Sequence, residues 1–260
     1  MASHVPNDHL LTASSGNFGQ ALAFACQVLG KKCTVVMPHD SVDVKVQAVR
    51  EFGGCVDLID VKKIPREVRV AELAAQYPEA YVASGFDSDL MIAGNSTLGC
   101  ELAELAGEVD AIIAPVSGGG LTSGILTGLR AAGAAIPLIG AEPALANHVT
   151  RSLRAGKRIE DDHESTTIAD GARTTGLGVR NWEILRHGLA DVIEVGECTI
   201  RDGVRALFHM ANLKAEPTGA LSLGAVMSNR ERFAGKRVCC VISGGNVDGK
   251  LYGELVARGQ

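Results

Sequence analysis

Short apolar runs of strand length alternate with segments of helical periodicity along the whole chain, and no other feature restricts the fold as much. "HLLTA" precedes a helical pattern over residues 20–29, "CTVVMP" one over 44–52, and "CVDLID" the amphipathic stretch 65–76. "AYVAS", "DAIIAPV", "IPLIGAE" and "RVCCVIS" continue the strands. Further helices are expected over 92–105, from "SGGG" to about Ala132, over 182–189, 200–213 and 219–229, and at the C-terminus. Residues 149–177, rich in Arg, Asp, Thr and Gly, read as an irregular functional loop region, and Gly53 and Gly54 read as a helix stop. Strands separated by helices demand crossovers of one hand and parallel sheets covered on both faces, so the class is α/β.

The 260 residues suffice for one large or two small domains with a substantial core. A smaller domain is expected over 9–85 and a larger one over 86–260. A net charge of −5 supplies no basic surface, so neither nucleic acid nor an anionic membrane is an expected partner. No uncharged apolar run approaches the roughly 18–20 residues of a membrane span, and "MASHVPNDHLL" does not resemble a secretory leader. The seven cysteines contain no CxxC and read as reduced, mostly buried thiols of a cytoplasmic protein. Cys239 and Cys240 read as two core residues of the last strand.

Glycine is abundant, 31 of 260 residues, or about 12% against an ordinary ~7%. Much of it clusters where strands end. Ser14-Ser15-Gly16-Asn17, Ser117-Gly118-Gly119-Gly120 and Ser243-Gly244-Gly245-Asn246 all follow a buried strand with small and hydroxylic residues. Glycine lets backbone approach a ligand, and the amides at a helix start favour an anion. In open α/β sheets such loops line the ligand crevice. The central loop also approximates a dinucleotide fingerprint. Gly118, Gly120 and Gly124 open a helix, and Glu142 ends the next strand 22 residues after Gly120. The third glycine falls one place late. The residues alone therefore leave open a nicotinamide-dependent oxidoreductase and an enzyme that binds a single phosphate.

"SSGNFGQALA", "SGGGL", "EPTGA" and "SGGNVD" resemble, in order and spacing, the fold-type II pyridoxal-phosphate enzymes. "IADGARTTGLG" and "MIAGNSTLGCEL", the latter read as a helix start, extend the likeness to the serine/threonine dehydratase and serine racemase branch of the tryptophan synthase β-like superfamily. The resemblance implies two open parallel-sheet α/β domains and pyridoxal 5′-phosphate as cofactor. By the same resemblance the amides of Ser117, Gly118, Gly119, Gly120 and Leu121 cradle its phosphate, with Ser117 standing where the family has glycine and able to add a hydroxyl. Asn17 meets the pyridine 3-hydroxyl, Ser243 the ring nitrogen, and Glu216 stands nearby. Ser15 handles a proton on the opposite face of the cofactor. The amides of Ser14, Ser15, Gly16 and Asn17 grip the substrate carboxylate. The activity implied is elimination of ammonia from a small hydroxy-amino acid such as threonine or serine, or racemisation, in a homodimer.

Two further family features depart. The branch often binds a divalent cation at the positions of Glu142, Ala146 and His148. Magnesium and calcium take oxygen ligands, so His148 argues against that site and reads as a surface residue, with no metal assigned. The family's Schiff-base lysine lies in an "FK-R-A"-like segment upstream of the SSGN loop. Here 13 residues precede Ser14 and none is lysine. The expectation is a family member lacking an N-terminal portion, with its larger domain incomplete, apolar surface left exposed, and catalysis by this chain alone in question.

Overall fold

The structure is a computed structural model that describes residues 1–14, 16–41 and 43–257. It divides into two compact units, Met1–Gly85 and Phe86–Gln260.

The first unit opens with a 3-10 turn at Ala2–His4. It continues through β1 (His9–Ala13), α1 (Asn17–Leu29), β2 (Lys32–Pro38), α2 (Asp43–Glu51), β3 (Cys55–Ile59), α3 (Arg66–Gln76) and β4 (Tyr81–Val82). The strands form one parallel sheet in the order β3-β2-β1-β4. Leu10, Leu11, Val35 and Val36 have no accessible surface, as continuous apolar runs in a doubly covered sheet require. α2 stops where Gly53 takes a left-handed φ of 74° and donates to the Arg50 carbonyl.

The second unit comprises α4 (Asp89–Ala103), β5 (Ala111–Pro115), α5 (Gly120–Ala131), β6 (Leu138–Pro143), α6 (His148–Ala155), α7 (Val179–Leu185), β7 (Asp191–Val195), α8 (Glu197–Ala211), α9 (Leu221–Ser228), α10 (Arg230–Phe233), β8 (Val238–Cys240) and α11 (Gly249–Val256). Short 3-10 turns lie at Ala144–Ala146 and Asp170–Ala172. Its sheet is also parallel, in the order β7-β6-β5-β8. Successive residues of β5 serve opposite cores. Ile112 packs with Ile125, Leu138 and Leu185, whereas Ile113 packs with Ile139, Val195, Ile200 and Leu221. α5 is held close to α4, because Gly99 faces the Ile125 carbonyl and Gly128 the Ser96 carbonyl with no room for a side chain.

Several expectations are corrected. β7 was not anticipated. "DVIEV" carries two acids and lies at a sheet edge, where the strand is only half covered. The stretch 149–177 is not wholly irregular, since α6 occupies its start and ends at Gly156. "AGNST" lies inside α4, which starts earlier, where the Ser88 hydroxyl accepts from the Met91 amide at 3.2 Å. Only Cys26 and Cys33 are buried, whereas Cys55, Cys100 and Cys198 are exposed. Cys239 and Cys240 are half-buried, with Cys239 packed against the edge of the core around Ile112, because β8 is an edge strand paired with β5.

Candidate functional site

In each unit the first strand of the sheet lies inside it, with the next strand in sequence on one side and the last on the other. Such a reversal of direction opens a crevice at the carboxyl ends of the strands. In the second unit the reversal falls between β5 and β8. The strands that lead into Ser117–Gly120 and Ser243–Asn246 are therefore direct parallel neighbours. In the first unit it falls between β1 and β4, and the Ser14–Asn17 loop leaves β1 there.

The loop after β5 has its carbonyls turned into the protein. The Ser117 carbonyl accepts from His148 Nε2 at 3.0 Å. The Gly118 carbonyl accepts from Asn181 Nδ2 at 2.8 Å and from the Gly178 amide at 3.0 Å. The Gly119 carbonyl accepts from the Ser123 amide at 2.9 Å and from Thr122 Oγ1 at 3.2 Å. The Gly120 carbonyl receives Asn95 Nδ2 at 3.4 Å. With both Ser117 (φ 53°) and Gly119 (φ 94°) left-handed, the amides gather into a concave nest. Those of Ser117, Gly118, Gly120, Leu121 and Thr122 have no acceptor among the described residues. Gly118, Gly120 and Thr122 are buried, and buried donors without acceptors are rare in folded proteins. The nest therefore fits an anion bearing several oxygens.

Two details differ from expectation. The Gly119 amide is not part of the nest, because it donates to the Val116 carbonyl at 2.9 Å, and Thr122 takes its place. The Ser117 hydroxyl donates to the Gly171 carbonyl at 2.9 Å and lies 3.2 Å from Thr174 Oγ1, so it braces the loop instead of adding a donor.

The other motifs of this unit converge on the same place. The Gly171 amide donates to Thr218 Oγ1 at 3.0 Å, which ties the "ADG" turn to "EPTG". The Glu216 amide donates to the Gly244 carbonyl at 3.0 Å, which ties "EPTG" to the loop after β8. Glu216 is buried and Ser243 exposed. In the first unit Ser14 Oγ accepts from the Gly16 amide at 3.3 Å and the Gly19 amide at 3.1 Å, and Asn17 is the first residue of α1. Ser15 lies outside the described residues.

The positions matching a family cation site do not fit one. Glu142 is fully buried, and its oxygens accept from the Val149 amide at 3.0 Å, the Thr150 amide at 2.8 Å and Thr150 Oγ1 at 2.5 Å. Burial nevertheless pushes this carboxyl up to about 7. His148 is not the expected surface residue, being 1% exposed with Nε2 committed to Ser117. Neither His148 nor Asn181 was identified as a site residue from sequence. No motif marks them, because what places them is the return of α6 and α7 to the β5 loop.

Comparison with known proteins agrees with this geometry. The model of the family described as pyridoxal-phosphate dependent enzyme matches residues 2–244. The chain belongs to that family. An L-threo-3-hydroxyaspartate ammonia-lyase of Pseudomonas sp is 35% identical over 243 residues, which cover 94% of this chain and 76% of that protein. A serine racemase of Schizosaccharomyces pombe is 34% identical over 251 residues, covering 96% and 76% respectively. The crystal structure of a T.th. threonine deaminase superimposes with a TM-score of 0.88 at 37% identity, covering 95% of this chain and 80% of that one. These matches place the chain in the dehydratase–racemase branch of the pyridoxal-phosphate dependent enzymes, with pyridoxal 5′-phosphate as cofactor and the fold-type II pair of parallel-sheet units. The nest at Ser117–Thr122 has the donors that the cofactor phosphate needs.

Proposed function

We propose that this pyridoxal-phosphate dependent enzyme is an ammonia-lyase that converts a small hydroxy-amino acid, such as threonine or serine, to a 2-keto acid and ammonia. The observation that carries the reading is the row of amides at the start of α5 with no acceptor among the described residues, a receptor for a phosphate, within a family whose relatives here include ammonia-lyases. Racemisation is the second reading, favoured by the equally similar serine racemase.

When bound, the cofactor supplies an electron sink for chemistry at the substrate α-carbon. The amides of Ser117, Gly118, Gly120, Leu121 and Thr122 hold its phosphate. Asn17 orients the 3-hydroxyl. The neutral Ser243 hydroxyl meets the ring nitrogen and leaves it unprotonated, which favours elimination over reactions that need a full carbanion. Glu216 stands beside that ring edge. The amides of the Ser14–Asn17 loop fix the substrate carboxylate, and the Ser15 hydroxyl holds or moves a proton at the α-carbon. The working form is a homodimer built from domains over 9–85 and 86–260.

The test is incubation of the protein and pyridoxal phosphate with a panel of L- and D-hydroxy-amino acids, with keto acid, ammonia and substrate chirality measured. Keto acid and ammonia in equal amounts support the lyase, and inversion without ammonia supports the racemase. Borohydride reduction and peptide mapping then ask whether any lysine of this chain attaches to the cofactor. A folded sample that neither binds nor turns over would end both readings.

A further inference from the structure

We propose that His148 is a positioning residue for the phosphate loop: its imidazole holds the Ser117 carbonyl and so keeps Ser117 in the conformation that aims the loop amides to one side. The inference rests on the phosphate-cradle reading and goes beyond it, because it assigns the loop's shape to a side chain remote in sequence.

The observations are independent of one another. Among the described residues only Ser117 and Asn212 are non-glycine residues with positive φ. A left-handed serine is strained, and such strain persists only where surrounding bonds over-determine it. The Ser117 hydroxyl is held from one side by Gly171 and its carbonyl from the other by His148. The backbone that carries the ring is itself held. His148 begins α6, whose Val149 and Thr150 amides donate to Glu142, and the His148 main-chain carbonyl accepts from Ser152 Oγ at 2.6 Å. A carbonyl acceptor requires the proton on Nε2. The neutral ring then presents Nδ1 as a bare acceptor, and Nδ1 is buried with no partner among the described residues. Burial, the largest influence, lowers the basicity of the ring, against the Ser117 carbonyl and Asp161, which favour the charged form. A buried ring nitrogen without a partner is costly. The fold tolerates that cost at the point where it fixes the Ser117 carbonyl.

Two variants separate this role from general packing. His148→Leu keeps bulk without a donor, and His148→Gln keeps a donor at nearly the reach of Nε2. Each is titrated with pyridoxal phosphate and with pyridoxal, which lacks the phosphate, and its melting temperature is recorded. His148→Leu should weaken pyridoxal phosphate about tenfold while pyridoxal changes less than about twofold, and His148→Gln should recover to within about threefold of wild type. In a Ser117→Gly background, where a left-handed φ costs little, the same His148→Leu change should have a clearly smaller effect. Should His148→Leu not fold, His148→Asn, whose donor is too short for the carbonyl, serves in its place.

Wild-type affinity should be indifferent to a divalent-ion chelator. Equal losses for both ligands, an unchanged pyridoxal phosphate affinity in His148→Leu, or a loss on chelation of the wild type would each overturn the proposal. A folded wild-type protein that fails to bind pyridoxal phosphate would instead remove the cradle reading itself, and this proposal with it.

Discussion

In the first unit a local side chain braces the loop after β1: Ser14 Oγ accepts amides two and five residues along the chain, and the Ser14 amide extends the β1–β2 ladder to the Val36 carbonyl at 3.2 Å. In the second unit the equivalent loop after β5 is held from afar. His148 lies 31 residues from its partner, Gly171 54, Thr174 57 and Asn181 63. The strand order is the same in both, with β1 and β5 in equivalent places. A loop fixed by long-range bonds takes its shape only when the whole unit is folded, and it then presents its amides without further reorganisation. A loop fixed by its own serine can form and re-form locally. The second arrangement suits a permanently bound phosphate, and the first suits a substrate that comes and goes.

The contrast is sharpest at the glycines. A Cβ at Gly119 would lie 2.8 Å from Asn181 Cβ, 2.9 Å from Leu177 Cδ2 and 3.0 Å from Leu185 Cδ1, on a backbone with φ 94°. Left-handed strain and overpacking together should cost Gly119→Ala about 3 kcal/mol or more. At Gly16 an added Cβ would meet no described atom within 4 Å beyond its chain neighbours and φ is −120°, so Gly16→Ala should remain within about 0.5 kcal/mol of wild type. Urea unfolding of the two variants compares the loops directly, and similar losses in both would break the contrast.

A second difference is electrostatic. Among the described residues both buried carboxylates, Glu142 and Glu216, belong to the second unit. Burial raises Glu142 from 4.5 to about 7, against the bonds from Thr150 and Val149, and Glu194 adds to the rise. Between those two values the folded state holds more proton than the unfolded one. Stability is therefore greatest below pH 4.5 for this group and falls as pH rises through 7. The interval of 2.5 at about 1.4 kcal/mol per pH unit sets an upper bound of roughly 3 to 4 kcal/mol. Glu142→Gln should flatten that slope between pH 5 and 8 in urea midpoints. An unaltered slope would mean that Glu142 is charged throughout.

Asn181 comes next. Its amide donates to the carbonyls of Phe86 at 2.9 Å and Gly118 at 2.8 Å in a fully buried position. Asn181→Ala should cost about 2 kcal/mol and weaken pyridoxal phosphate more than pyridoxal. Equal weakening of the two ligands would show that Asn181 supports the unit and not the nest.

The same contrast decides what was legible in the sequence. Central strands were legible because burial on both faces leaves continuous apolar runs such as "DAIIAPV". The edges were not. "DVIEV" carries the charges an exposed edge tolerates, and the apolar "VCC" of β8 suggested full burial, whereas its edge placement leaves it half-buried against the core. Loop glycines and hydroxyls were legible as ligand loops, and their resemblance to a family assigned them roles. The residues that brace the second loop were not, since His148 and Asn181 act across 31 and 63 residues and no local pattern encodes such a return.

Ser14 should show a smaller effect on stability than Gly119, Glu142 or Asn181, and it gives the most direct test of the first loop. Removing its hydroxyl in Ser14→Ala leaves the Gly19 amide uncapped at the start of α1 and should cost about 1 kcal/mol. Ser14→Asp supplies a carboxylate acceptor for the same amide beside the positive end of the helix, so most of that stability should return. The two roles given to this loop then separate. A cap needs an acceptor of either charge, whereas a receptor for a substrate carboxylate cannot tolerate a negative neighbour. Ser14→Asp should therefore be nearly as stable as wild type and yet show an amino-acid KM raised by about tenfold or more, from like-charge repulsion of roughly 1.4 kcal/mol in a partly screened site. Unchanged KM in a stable Ser14→Asp would place the substrate carboxylate elsewhere and leave the first loop as a helix cap alone.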